Sequence, residues 1–318
     1  MLSIGPACRP AMNMRWNALR SFSSPLDWMM GYSLDTILHL FQCEFKDFFR
    51  YYHVDSEKNG ATGKRWVEDI QNIIISIHHF PIECDVDVVY PEFKEKMLGR
   101  AKFLIEKIDS SERIILVGNR PETQNEILYF LESFSAMYPQ KTVRLINIRQ
   151  DDSLSYDEYR ECVVADKSNI SYVEYLVNDT DHGVFKPEGN TFVWSKVLSK
   201  YTTFYTDEIR KSWQNLRARS GQFVIYGAGI RCCRLLGYLL ANGIKVDGIA
   251  VSSVSDNPEE LFGVKIKQFS EYSKDSSMII SNMRAEDIAS IRKTLERYGI
   301  KNIAYIDDNM RFFEDYGK

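Results

Sequence analysis

The sequence predicts an α/β protein of two domains: an N-terminal α/β sandwich with a mostly parallel sheet, and a smaller C-terminal α/β domain. Three observations carry that prediction. Apolar runs rich in Val and Ile alternate with amphipathic stretches of ten or more residues, the pattern of strands joined by crossover helices. The chain has 318 residues, more than one core usually fills. Around residues 206–219 a charged helical stretch, TDEIRKSWQNLRARS, interrupts the alternation and ends in Ser220 and Gly221. The expected division is a domain over 1–205, a helical linker over 206–219 and a second domain over 220–318.

The elements follow in order. MLSIG is a short apolar strand stopped by Gly5 and Pro6, and the helix after it carries a stripe at Met12, Trp16 and Leu19. SLDTILHLFQCEFKDFF reads as a second amphipathic helix, and NIIISIHHF as a buried strand because its β-branched run is continuous. A helix in PEFKEKMLGRAKFLIEKI, a strand in RIILVGN, a helix in ETQNEILYFLESFSAMY and a strand in TVRLINI come next. The strand ISYVEYLV and the helix TFVWSKVLSKY close the first series. The second domain reads as strand FVIYGAG, helix IRCCRLLGYLLANG, strands KVDGIAV and SSMIIS, helix AEDIASIRKTLERYG and strand NIAYID.

Composition narrows the function. With 44% hydrophobic and 26% charged residues the chain is of ordinary globular type, and a net charge of −4 provides no basic field for a nucleic acid. Six cysteines, with Cys232 and Cys233 adjacent and no CxxC, make neither a disulfide framework nor a zinc knuckle, so no metal site is expected. No run approaches the roughly 18 apolar residues of a membrane span, and the start lacks the pattern of a signal peptide. A cytoplasmic location is expected, with homo-oligomerisation left open.

Few residues offer chemistry. Cys8 lies three residues past the strand end at Gly5, near the first turn of a helix. There the dipole would favour a thiolate and draw the pKa from about 8.5 toward about 4–7. The same residue would also pack as a small hydrophobe. His78 and His79 end an apolar run, where open α/β sheets place ligands, and adjacent strand residues face opposite ways. His39 and His53 read as packing or surface residues. In NDTDHG, Asp179 stands three residues before His182, a spacing that lets a carboxylate orient an imidazole. Asp27 in SSPLDW would hold a histidine tautomer or merely close a turn, with Trp28 packing beside it. Gly118 and Asn119, at another strand end, suit oxyanion stabilisation or a purely local turn.

Taken together, SIGPAC, FSSPLDW and SIHHF make the first 200 or so residues resemble a bacterial family catalogued as papain-like cysteine peptidases of unknown function. Its members carry S-L-G-x-x-C, P-F-D-W and H-D-F in that order. The resemblance implies Cys8 as nucleophile, Asp27 as the carboxylate of the D-W pair and His78 as base. Leu26 replaces the usual Phe, and His79 stands where the family often has Asp, which leaves the orienting carboxylate open. A rival resemblance is to the SGNH hydrolases, esterases on a parallel sheet, in which His182 would be the base. Pro6, Ala7 and Cys8 occupy the turn where that family has its serine.

The stretch VIYGAGIRCCRLLGYLLANGIKVDGIAV resembles the Rossmann-like domain found beside transferases in bacterial surface-polysaccharide clusters. That resemblance implies a nucleotide or dinucleotide held at Gly227, Gly229, Ile230 and Arg231. Cys232 stands at the third glycine position, and the second strand ends in IAVSS with no acid for a ribose, so a purely structural turn is the alternative. The expectation is a hydrolase or acyltransferase using Cys8 and a histidine on a small-molecule or glycan-related substrate. Against it stand a non-catalytic binding protein with Cys8 simply buried and a sugar-modifying oxidoreductase component in the second domain.

Overall fold

The computed structural model describes residues 1–180, 186–282 and 284–313. Their contacts divide the chain into two compact units. The first comprises Met1–Met12, Phe22–Leu154 and Tyr159–Val177, and the second Asn13–Ser21, Ser155–Glu158 and Asn178–Lys318. Both are mixed α/β.

The first stretch of chain runs β1 (Leu2–Ser3), α1 (Arg9–Trp16), β2 (Met29–Met30), α2 (Leu34–Gln42), β3 (Tyr52–Asn59), β4 (Arg65–Asp69), β5 (Ile74–Ser76) and α3 (Val86–Asp109). It continues through β6 (Arg113–Gly118), α4 (Gln124–Met137), β7 (Thr142–Gln150), β8 (Tyr159–Asp166) and β9 (Ile170–Val177). One sheet has the order β1-β6-β7-β9-β8, parallel except for β8 at its edge. Its inner strands are apolar because helices cover them: Leu116, Leu145 and Tyr172 share one core with Phe130 and Phe134 of α4 and Leu104 of α3. Thr123 and Glu126 fix the start of α4 as a reciprocal capping box.

A second sheet, β2-β5-β4-β3, is antiparallel. It contains the run NIIISIHHF, of which only Ile74–Ser76 is strand, and thereby departs from the expected buried strand. The cause is a tight turn before it. Asp69, fully buried, accepts the N–H groups of Phe49 at 2.6 Å and of Gln71 and Asn72 at 3.2 Å, and Asn72 Nδ2–H at 2.8 Å. The chain then passes through Ile73 at φ 54°, exposed to solvent. The second predicted helix is likewise shorter, since Glu44 and Phe45 adopt left-handed backbone (φ 51° and 61°) just past α2. Strands β3, β4 and β8 had no counterpart in the reading of the sequence: β3 and β8 are half exposed and mostly polar, so no apolar run marks them.

The second unit contains α5 (Thr191–Leu198), α6 (Phe204–Arg219), β10 (Phe223–Tyr226), α7 (Ile230–Ala241), β11 (Gly248–Val251), β12 (Glu260–Leu261) and β13 (Val264–Gln268). After these come β14 (Ser277–Ile280), α8 (Ala285–Tyr298), β15 (Asn302–Ile306) and β16 (Phe312–Phe313). Its sheet order is β12-β13-β11-β10-β14-β15-β16, with the five central strands parallel and an antiparallel strand at each edge. The stretch expected as a linker is α6, which packs inside this unit. Trp213 is fully buried, donates its Nε1–H to Met310 O at 2.7 Å and packs on Phe312. Helix α5 also groups here, so the contact division falls after Val177 rather than at 205. Among the described residues no helix is long and apolar enough to cross a membrane.

Replacing the hub carboxylate, Asp69→Ala, strands several buried N–H groups. The expected cost is about 3 kcal/mol, read as a lower urea midpoint for the first unit with little change in slope.

Candidate active site

Strand β1 places the first candidate side chain. Leu2 and Ser3 pair with Leu116 and Val117, and Ile4 N–H donates to Val117 O at 2.9 Å. The chain leaves the sheet at Gly5, where a Cβ would overlap the Pro10 ring and lie 2.7 Å from Asn119 Oδ1, so only glycine fits. Pro6 O accepts Gly31 N–H at 3.0 Å, which ties this turn to the segment carrying Asp27 and Trp28. The Cys8 carbonyl accepts Met12 N–H at 2.9 Å and thereby opens the first turn of α1.

His78 arrives from the antiparallel sheet, two residues past β5. Its Nε2 lies 3.6 Å from Cys8 Sγ, although 70 residues separate the two in sequence. Trp28 meets the His78 ring edge-on, with centroids 6.1 Å apart. Asp27 is buried, its Oδ2 accepts Ser24 N–H at 2.9 Å, and its charge acts on the Cys8 thiol. Tyr32, fully buried, donates its hydroxyl to Leu26 O and receives Arg120 Nη1–H on its carbonyl at 3.1 Å. Arg120 is itself buried, paired with Glu122, and its backbone is clamped by Asn147 Oδ1 at 2.7 Å.

Burial sets the charge state. Desolvation pushes the Cys8 thiol up to about 11, the thiol's own backbone amide opposing and the nearby Asp27 charge adding to the rise. Desolvation likewise pushes His78 below its ordinary value. This overturns the expected drop of the thiol toward about 4–7: the dipole of one eight-residue helix does not offset removal of the sulfur from water. The resting pair is a neutral thiol and a neutral imidazole. With the ring proton on Nδ1, Nε2 accepts the S–H and can take the proton as sulfur attacks an electrophile.

His79 contacts Ser76 Oγ through Nδ1 at 2.8 Å and packs on Phe93, and burial lowers it to about 4. Asn119 lies beside Gly5, its Oδ1 buried without a hydrogen-bond partner. A carbonyl oxygen only accepts, so oxyanion stabilisation there requires the amide turned to present Nδ2. Asp179 belongs to the second unit, where its Oδ1 accepts Asn190 N–H and Trp194 Nε1–H, both at 2.9 Å, fastening the start of α5. His182 lies outside the described residues.

In the second unit, Gly227 has φ 101° and donates its N–H to Ala250 O, and a Cβ would come within 2.9 Å of Ser281 Oγ. Gly229 caps α7 and Ile230 opens it. Arg231 is buried and directed into the protein, with Nη1 on Asn282 O at 3.0 Å and Nη2 on Asp308 Oδ1 at 2.9 Å. Ser252, at the end of β11, shares a 2.7 Å hydrogen bond with Tyr226 Oη.

The sequence reading had no sign of Tyr32 or Arg120. A buried arginine reads as a surface charge until its partners are known.

The first unit is thus an α/β scaffold carrying a buried cysteine beside a solvent-exposed histidine. Residues 1–151, just under half of the chain, match a family model described as "Putative papain-like cysteine peptidase (DUF1796)". No curated protein and no solved structure matches the chain.

Because the thiol titrates high, alkylation of Cys8 should stay slow at neutral pH and accelerate continuously above pH 9, with no plateau below it. Iodoacetamide labelling resolved by mass spectrometry from the other five thiols checks this, and a plateau near pH 6 would refute the neutral pair. Gly5→Ala should slow or scramble that labelling by forcing Pro10 and Asn119 apart.

Proposed function

We propose that the first unit is a cysteine-dependent acyl hydrolase or acyltransferase, with Cys8 as nucleophile and His78 as base. The observation that carries the reading is the 3.6 Å contact between Cys8 Sγ and His78 Nε2, and the family match over residues 1–151 supports it. Sulfur attacks a carbonyl carbon while its proton passes to His78 Nε2. The imidazolium then returns that proton to the leaving group, and an acyl-enzyme remains for water or a second nucleophile. Asp27, whose charge acts on Cys8, is the candidate carboxylate, and Asn119 is the candidate oxyanion donor. Asp179 with His182 is the rival base, and His79, in its buried contact with Ser76, has the weakest support.

Peptide is not singled out as substrate, because a parallel sheet with an antiparallel edge is not the papain architecture. A small-molecule or glycan-related acyl group in the cytoplasm is the class we favour.

A second reading concerns the second unit. Its parallel order β13-β11-β10-β14-β15 and the glycine turn at Gly227 and Gly229 support a Rossmann-like arrangement with a nucleotide-type ligand at the start of α7. Ile230 would offer backbone N–H there, whereas the partners of Arg231 and Ser252 favour a ligand without a tightly read ribose.

The test compares wild type with Cys8→Ala, His78→Ala and His182→Ala on a panel of activated esters, thioesters and amides. Cys8→Ala should abolish turnover and His78→Ala should lower it ~10²–10⁴-fold, with circular dichroism unchanged. Full activity in His78→Ala with loss in His182→Ala would transfer the base role. Unchanged activity in Cys8→Ala would replace the enzyme reading with a binding module.

A further inference from the structure

Helix α2 buries Leu34, Ile37, Leu38, Leu40 and Phe41 in the core of the first unit. On another side it carries His39, and Cys43 follows four residues later at its C-cap, one turn on, so ring and thiol stand together. The left-handed turn at Glu44 and Phe45 brings Asp47 back toward them, with Oδ2 3.4 Å from His39 Nε2. One ligand atom from each of His39, Cys43 and Asp47 lies within 4.8 Å of the other two.

Three features raise this above a chance cluster. His39 Nε2 is shielded from solvent and makes no hydrogen bond, even though Asp47 Oδ2 is close by. Asp47 is held in place, its carbonyl accepting Asn72 Nδ2–H at 3.0 Å, and Asn72 is fixed in turn by the buried Asp69. The two oxygens of Asp47 are also differentiated, since Arg50 Nη1 pairs with Oδ1 at 3.4 Å and leaves Oδ2 toward His39.

We propose that His39, Cys43 and Asp47 form a site for a divalent d-block cation of zinc type, with solvent completing its coordination. Imidazole nitrogen, thiolate sulfur and carboxylate oxygen are the donor set that zinc and cobalt prefer, whereas magnesium and calcium take oxygen alone. Binding converts the Cys43 thiol to thiolate and releases one proton to solvent. The two ligand charges, thiolate and carboxylate, balance the cation. Arg50 and Lys94 are the positive groups facing the site, and Lys94 is anchored on Phe48 O. The bound ion would fasten the turn after α2 to the helix. The site shares no residue with the Cys8–His78 pair, so its test is independent of the catalytic reading.

The experiment is a titration of the metal-stripped full-length protein with Co²⁺. The expected result is one equivalent bound, a sulfur-to-cobalt charge-transfer band with visible bands of near-tetrahedral cobalt, one proton released, and displacement of the spectrum by Zn²⁺. Cys43→Ser and His39→Ala, with circular dichroism as the folding control, should each weaken binding at least 10-fold and remove or shift the band, while Cys8→Ala keeps it. Absence of saturable binding, or a band that survives Cys43→Ser and vanishes in Cys8→Ala, would overturn the proposal.

Discussion

Two residues of strand, Leu2 and Ser3, hydrogen-bonded beside Leu116 and Val117, determine where Cys8 stands in the first unit. A pairing this short is not stable by itself. It persists because Leu2, Ile4 and Leu116 enter the same buried core as α3 and α4. Once β1 is fixed, Gly5 is the only residue that can pass between Pro10 and Asn119, and Cys8 is carried to the head of α1. The other half of the pair comes from a different sheet: the Asp69 hub shapes the turn into β5, and β5 delivers His78. The site therefore depends on two sheets of opposite character, neither of which provides it alone.

Magnitudes decide the state of the thiol. Raising a thiol from 9.0 to about 11 corresponds to about 3 kcal/mol favouring the neutral form, whereas a helix terminus returns about 0.3–1 kcal/mol to the anion. Burial wins. The consequence is a neutral thiol beside a neutral imidazole instead of a standing ion pair, so in the proposed reaction the proton would leave sulfur for His78 as the bond to carbon forms. Trp28 meets the His78 ring edge-on, and partial desolvation depresses the imidazole although the residue reaches solvent.

The second unit shows the opposite use of polar groups. Arg231 lies at the start of α7, where a ligand-binding arginine would be expected, yet its guanidinium is spent on Asn282 O and Asp308. Asp179 likewise fastens the start of α5. The charged face of α6 made it look like a connector, but Trp213 and its bond to Met310 O make the helix part of the unit's packing. A mostly polar helix needs only one or two large buried side chains to be held.

What the sequence by itself determined is the α/β class, the strands buried on both faces (β6, β7, β9, β10, β11, β14 and β15) and the residue types able to do chemistry, Cys8 and His78 among them. These were legible because a strand covered on both sides must be apolar along its whole length, and because few residue types act as nucleophile or base. Only the tertiary structure decided that NIIISIHHF belongs to an antiparallel sheet, that β3 and β8 exist, that His78 and not His79 meets the sulfur, and that the thiol rests neutral. Local periodicity records which side of an element is covered. It carries no information on which residue 70 positions away arrives there, nor on how completely water is excluded, and those two quantities fix the distance and the protonation of the pair.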